Sequence, residues 1–152
     1  MRIVGVDQRN FEAWVGLSRK LYPYLSYQEM WEECEAFLKN GEEVGFLYQL
    51  DGEYVAFMNL SIKHDYVNGT ETSPVVFLEG IYVEEGYRKR GIARELVQFA
   101  VQYTLNQGLK ELASDSLIDN EVGQAFHEAV GFIEQERVIC YSMKVDASEG
   151  GR

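Results

Sequence analysis

Apolar residues recur at helical spacing from the tenth position onward. Phe11, Trp14, Val15, Ser18, Leu21 and Tyr22 share one face, with polar residues between them. Asn10 stands where an N-cap belongs, and Pro23 stops the run. A second helical pattern follows. Ser26 and Glu29 form an S-x-x-E capping box ahead of Tyr27, Met30, Trp31, Cys34, Phe37 and Leu38, and Gly41 closes it. A short strand from Ile3 to Val6 precedes both helices.

The period then shortens. "VGFLYQL" and "YVAFMNLSI" read as strands joined by a hairpin at Asp51-Gly52. The polar stretch "KHDYVNGTETS", with Asn68-Gly69, reads as a loop. "PVVFLEGIYV" is almost unbroken apolar sequence, as expected of a central strand buried on both faces. A helix follows with Leu96, Val97, Ala100, Val101 and Thr104 on one side, ended by Gly108. "KELASD" predicts a short strand, and Val122, Ala125, Phe126, Ala129 and Val130 predict a last helix ended by Gly131. "FIEQERVICYSMKV" predicts two closing strands or one bent strand, and "DASEGGR" a frayed tail. With no repeat and no linker, residues 1–145 read as one α/β domain and residues 146–152 as its tail.

Composition narrows the function classes. The chain has 152 residues, 46% of them hydrophobic, enough for a full core. No apolar run approaches the ~20 residues of a membrane span, and "MRIVGVDQ" is no signal peptide. A formal charge of −11 argues against nucleic acid as the main partner and leaves a cationic ligand open. Cys34 and Cys140 lie far apart in apolar patterns, so both are expected to be buried thiols in a reducing cytosol. His64 and His127 have no cysteine near them, and no metal site is expected.

Against that acidic background stands "YRKRGIARELVQFA", which opens a helix directly after the apolar strand. The free N–H groups of a helix's first turn and its dipole attract anions. Gly91 removes the side chain that would block close approach, and Arg88, Lys89 and Arg90 add mobile positive charge around a polyanion. The same residues also fit a solvated basic turn. There is no G-x-x-x-x-G-K-S/T and no G-x-G-x-x-G, so P-loop chemistry and a dinucleotide site are not expected.

The order of elements around R-x-x-G-x-A resembles the Gcn5-related N-acetyltransferase family, from Ile3 to about Lys144. "HDYVNG", "SPVVFLEGIYV", "ASD" and "GFIEQERVICY" together look like its aminoglycoside 6′-N-acetyltransferase group. The resemblance implies a mixed, mostly antiparallel central sheet flanked by helices. It implies acetyl transfer from acetyl-CoA to the 6′-amino group of an aminoglycoside in a ternary complex, in the cytoplasm, by a homodimer. In the family, the segment matching Arg88, Lys89, Arg90, Gly91, Ile92, Ala93 and Arg94 holds the acetyl-CoA pyrophosphate. The backbone of Ile81, Tyr82 and Val83 pairs with the pantetheine arm, and Asn120 hydrogen-bonds it.

Glu79 interrupts an apolar strand, so it needs a partner or a purpose. It fits a buried ion pair, or a carboxylate for a substrate ammonium, and the resemblance supports the second. Asp115 reads locally as a cap or turn residue. By resemblance it contacts substrate amines and is the best candidate to assist deprotonation of the attacking nitrogen, directly or with Glu79 through water. The resemblance also places Tyr22, Tyr66 and Glu136 at the substrate, although Tyr22 stands where relatives often have tryptophan. Many relatives carry a tyrosine in the last helix that protonates the departing thiolate. Here Phe126 and His127 occupy that stretch, and His127, beside an apolar face, reads first as structural. His64 reads as a solvated loop histidine. Two alternatives stand beside this reading: acetylation of another polyamine or a protein amine, and a non-catalytic acyl-CoA-binding module.

Overall fold

The computed structural model describes residues 2–146. Its elements run β1 (Ile3–Gly5), α1 (Phe11–Leu21), α2 (Tyr27–Lys39), β2 (Glu43–Leu50), β3 (Glu53–Lys63), β4 (Val75–Val83), α3 (Ile92–Asn106), β5 (Leu112–Ala113) and α4 (Glu121–Ala129). The strands form one sheet in sequence order, β1-β2-β3-β4-β5. Every neighbouring pair is antiparallel except β4 and β5, which are parallel.

Each side of the sheet has its own core. Trp14, Val15, Leu17, Met30 and Cys34 from α1 and α2 pack on Leu47 and Phe57. Ile92, Leu96 and Ala100 from α3 pack on Phe46, Tyr48, Met58, Leu60, Val76 and Leu78, with Phe126 of α4 against the same cluster. The alternation of strand side chains feeds both cores at once. Trp14 is fully buried, and its indole N–H donates to Asn59 Oδ1 at 2.9 Å, tying α1 to β3.

Local signals give most of these boundaries. Ser26 and Glu29 make both bonds of the capping box. Asp51 (φ 52°) and Gly52 (φ 81°) take the left-handed turn of a tight hairpin. Asn10 departs from expectation. Its side chain accepts from the Asp7 N–H at 2.7 Å and donates to the Gly5 carbonyl, so it fastens the β1 exit rather than capping α1.

Three expectations need correction. First, β4 is buried on both faces only at its start. Val75, Val76 and Leu78 are buried, while Glu79 to Val83 are partly exposed, because β5 pairs with β4 only at Val76 and Phe77. Second, no strand follows α4 among the described residues. The segment from Ile133 to Val145 runs uncovered, with Tyr141 88% and Met143 85% exposed. Its apolar pattern suits a strand, but it pairs with no strand of the sheet, and the outer edge of β5 stays unpaired among the described residues. Third, Cys140 lies in that segment and is exposed, whereas Cys34 is buried as expected. The tail beyond Asp146 lies outside the described residues.

Candidate active site

The β3–β4 register slips at one place. Leu60 pairs with Leu78 and Asn59 with Gly80, which leaves Glu79 as an extra residue on β4. Such a bulge re-aims side chains and shifts the alternation by one. Val76 and Leu78 face the α3 core before it, and Ile81 and Val83 face that core after it. Glu79 faces the α1–α2 side, and the slip keeps Gly80 on that side with it. There it lines a cavity of about 460 Å³ with Tyr22, Tyr24, Glu33, Glu43 and Asn59 among its walls. A second cavity of about 320 Å³ adjoins it through Glu43 and is bounded by Glu42, Lys63, His64, Asp65 and Tyr66.

Glu79 has the ion-pair partner that one sequence reading expected, although the pair is partly exposed rather than buried. Its Oε2 accepts from Ser61 Oγ at 2.9 Å and lies 3.2 Å from Lys63 Nζ, and the carboxylate still faces the cavity. Burial, and next Glu79, raises the pKa of Glu43, with Lys63 and Asn40 opposing. Tyr22, the C-cap of α1, comes so close to β4 that a Cβ at Gly80 would sit 3.1 Å from its hydroxyl. Burial first, then Tyr24 and Glu79, raises the Tyr22 pKa, so the phenol stays a neutral donor. His64 is not merely solvated, since its Nε2 lies 3.3 Å from Glu42 Oε1. Cys34 also borders the larger cavity, but burial pushes its thiol up to about 11, which makes it a poor nucleophile.

Asp115 follows the two-residue β5. The β4–β5 pairing ends at Phe77 and Ala113, and Asp115, two residues on, is exposed and borders neither cavity. Beyond this pairing the strands part, and the β4 edge from Glu79 to Val83 opens into the gap. Glu136 is not brought to the site within one chain. It is exposed in the C-terminal segment, one residue after Gln135, whose side chain lies against Gly69 of the Tyr66 loop.

The basic turn lies across the sheet from the acidic cavity. Ile92, the first residue of α3, belongs to the α3-side core. Gly91 has φ 80°, and a Cβ there would meet nothing within 4 Å, so the surface in front of the turn is open. Lys89 is also left-handed, with φ 63°. With Arg88 extended, these two left-handed residues turn the chain tightly into the N-terminus of α3, whose free first-turn N–H groups suit phosphate oxygens. Not every cation here is mobile. Arg88 Nε donates to the Val83 carbonyl at 2.8 Å with its guanidinium over the Tyr82 ring, and Arg94 donates to the Ala129 carbonyl, joining α3 to α4. Arg90 rests over the Tyr87 ring. Asn120 caps α4, accepting from the Gly123 N–H at 3.0 Å. Among the described residues no group of three or more His, Cys, Asp or Glu is placed to hold a metal ion.

The glycine turn thus lies on one side of the sheet and the carboxylate-lined cavity on the other, with the end of β4 that β5 leaves unpaired between them. The family model described as Acetyltransferase (GNAT) family matches residues 11–132.

The chain belongs to that family.

Relatives within it are close. The aminoglycoside N(6')-acetyltransferase type 1 of Salmonella enteritidis is 39% identical, over 93% of this chain and 97% of the relative. That of Serratia marcescens is 41% identical, over 91% and 96%. Among solved structures, AAC(6')-Iy in complex with the bisubstrate analogue CoA-S-monomethyl-acetylneamine superposes with a TM-score of 0.87 at 38% identity, covering 94% of this chain and 97% of the other. AAC(6')-IG from Acinetobacter haemolyticus superposes with a TM-score of 0.90 at 36% identity, covering 96% and 100%.

Sequence reasoning missed several site residues. Lys63, Ser61 and Glu43 surround Glu79 yet carry no motif, and only their polarity beside apolar strands signals them.

Proposed function

We propose that this protein transfers the acetyl group of acetyl-CoA to the 6′-amino group of aminoglycosides, the activity that would give resistance to these drugs. The observation that carries the reading is the split between β4 and β5, which connects the Gly91 turn on one face with the Glu79 cavity on the other. The named relatives and the bisubstrate complex of AAC(6')-Iy support the substrate pair.

The residues present fit acetyl-CoA. The first-turn N–H groups of Ile92, Ala93 and Arg94, with Lys89 and Arg90, would hold the pyrophosphate, and the open β4 edge from Ile81 to Val83 would take the pantetheine arm. Bound acetyl-CoA supplies the activated acyl group. The chain's part is to bind, orient and move protons. Glu79 and Glu43 would favour ammonium groups in the cavity, with Asp115 reaching them from the end of β5, and Tyr22 and Tyr66 offer ring faces and hydroxyls to sugars. An alkylammonium has no lone pair, so Asp115, or Glu79 through a water, must take its proton before attack. The carboxylates also stabilise the cation they deprotonate, and Lys63 beside Glu79 moderates that conflict.

The assembly belongs to the same proposal. The segment from Ile133 to Val145 exposes Ile133, Val138, Ile139, Tyr141, Met143 and Val145. A second copy of the chain is the occupant that fits, because β5 ends the sheet with one edge unpaired and the segment is strand-like. Glu136 would then reach a substrate pocket only as part of the docked segment. A cytoplasmic location fits the need for acetyl-CoA. The charge of −11 favours neither nucleic acid nor anionic membranes as partners.

The test is thiol release from acetyl-CoA with kanamycin, spermidine and a basic peptide run in parallel. Turnover with kanamycin at the highest kcat/KM supports the proposal. Turnover led by spermidine or the peptide, or none at all with CoA bound, overturns it.

A further inference from the structure

Ser114 and His127 are hydrogen-bonded at 2.6 Å, Oγ to Nε2, and His127 Nδ1 lies 2.6 Å from the Gly123 carbonyl oxygen. A carbonyl only accepts, so Nδ1 carries a proton and Nε2 is the nitrogen that exchanges one with Ser114. The imidazole is held between the Phe126 and Phe132 rings, with centroids at 5.4 and 5.2 Å. Both side chains are partly buried. Helix α4 places His127 four residues after Gly123, and β5 delivers Ser114 at its end.

The two faces of the β5 exit differ in chemistry. Leu112 packs in the α3-side core, and the bond to His127, beside Phe126 and Phe132 of that core, holds Ser114 on the same side. The Gly91 turn is on the Ser114 side of the sheet, and the cavity lined by Glu79 and Glu43 is on the opposite side. Carboxylates suited to taking a proton from the amine thus lie opposite a hydroxyl–imidazole pair suited to giving one.

We propose that Ser114 and His127 form the proton-donating relay for the departing CoA sulfur. This rests on the acetyl-CoA reading above. The amine lone pair forms the C–N bond to the thioester carbonyl carbon, and its excess proton goes to the carboxylate side. The C–S bond breaks and its electron pair stays on sulfur. Sulfur takes the Ser114 hydroxyl proton, and the Ser114 oxygen takes the Nε2 proton of protonated His127. His127 is left neutral with Nδ1–H still on Gly123, and recovers its proton from water. Ser114 is the group that would touch the sulfur, and His127 acts through it.

The test uses Ser114→Ala, His127→Gln and His127→Phe. Calorimetry with CoA comes first. Wild-type protein that does not bind CoA overturns the acetyl-CoA reading, whatever the relay does. With CoA bound normally by the variants, single-turnover acetyl transfer should fall by about tenfold to a hundredfold in all three. His127→Gln, which keeps a side-chain amide near Ser114 but cannot pass a proton, should be as slow as His127→Phe. Independently of turnover, nitrogen NMR of His127 should show an Nδ1–H form. CoA should shift its Nε2 signal in the wild type and not in Ser114→Ala. Single-turnover rates within threefold of wild type, or an Nε2 signal indifferent to both CoA and Ser114→Ala, overturns the relay.

Discussion

Lys63 Nζ lies 3.2 Å from Glu79 Oε2, so the carboxylate that lines the larger cavity brings its own counter-ion. A cationic substrate competes with that ammonium. Lys63→Met should lower the aminoglycoside KM by up to about fivefold at low salt, the scale of a partly exposed pair. Glu79→Gln should raise it by about tenfold, as for a lost charge-assisted hydrogen bond. In a Glu79→Gln background Lys63→Met should do nothing. Steady-state kinetics at low and high salt checks all three, with the Glu79 effect shrinking as salt rises.

Glu43 gives a pH signature. Burial and Glu79 hold its pKa above the ordinary 4.5 in the folded chain. The unfolded chain therefore loses this proton at lower pH than the folded one, and stability falls as pH rises from 4.5 through the raised value. Glu43→Gln removes that penalty. Its melting temperature should exceed the wild type's at neutral pH by about 1–3 °C. The difference should vanish below pH 4.5. A gain that persists undiminished in acid would mean that ionisation of Glu43 is not its source.

Gly91 tests the phosphate turn. At φ 80° any Cβ is strained, and the cost is about 1–2 kcal/mol for alanine. Gly91→Ala should lower the melting temperature by a few degrees and weaken CoA binding at least about tenfold. Gly91→Asn, better tolerated in this conformation, should separate the two effects, staying nearer wild-type stability while still losing affinity. CoA affinity unchanged in a folded variant would contradict the assignment.

The free thiols report on the C-terminal segment. Cys34 is buried with its thiol pushed up to about 11, so native protein should not label there at pH 8. Cys140 is exposed in the single chain. In the proposed homodimer it should label slowly at high protein concentration and faster on dilution, in step with dissociation measured by sedimentation. Fast, concentration-independent labelling of Cys140 with a monomer throughout would overturn the dimer.

Where the rules are local, the sequence was readable. The Ser26–Glu29 box, the Asp51-Gly52 turn and the glycine-started α3 are decided by a few adjacent residues, and each formed as expected. The bulge at Glu79 was not readable, because one extra residue leaves no mark in an unbroken apolar run. Arg88 looked like mobile charge, but the chain path brings the Val83 carbonyl back to it. The pairing of Ser114 with His127 joins a strand end to a helix interior and depends on how α4 packs. The segment around Cys140 has a strand's pattern, and pattern alone names no partner edge. The candidate site was therefore legible as residue types and as a family resemblance, while its division across the two faces of the sheet came from the fold.

The central claim is regiospecific acetyl transfer, and the product states it most directly. Kanamycin incubated with the protein and acetyl-CoA labelled with carbon-13 in the acetyl group should give one monoacetylated species. Two-dimensional NMR should place the label on the 6′-nitrogen, with one CoA thiol released per acetyl group. Label on another amine, or thiol release without acetylated kanamycin, would contradict the account.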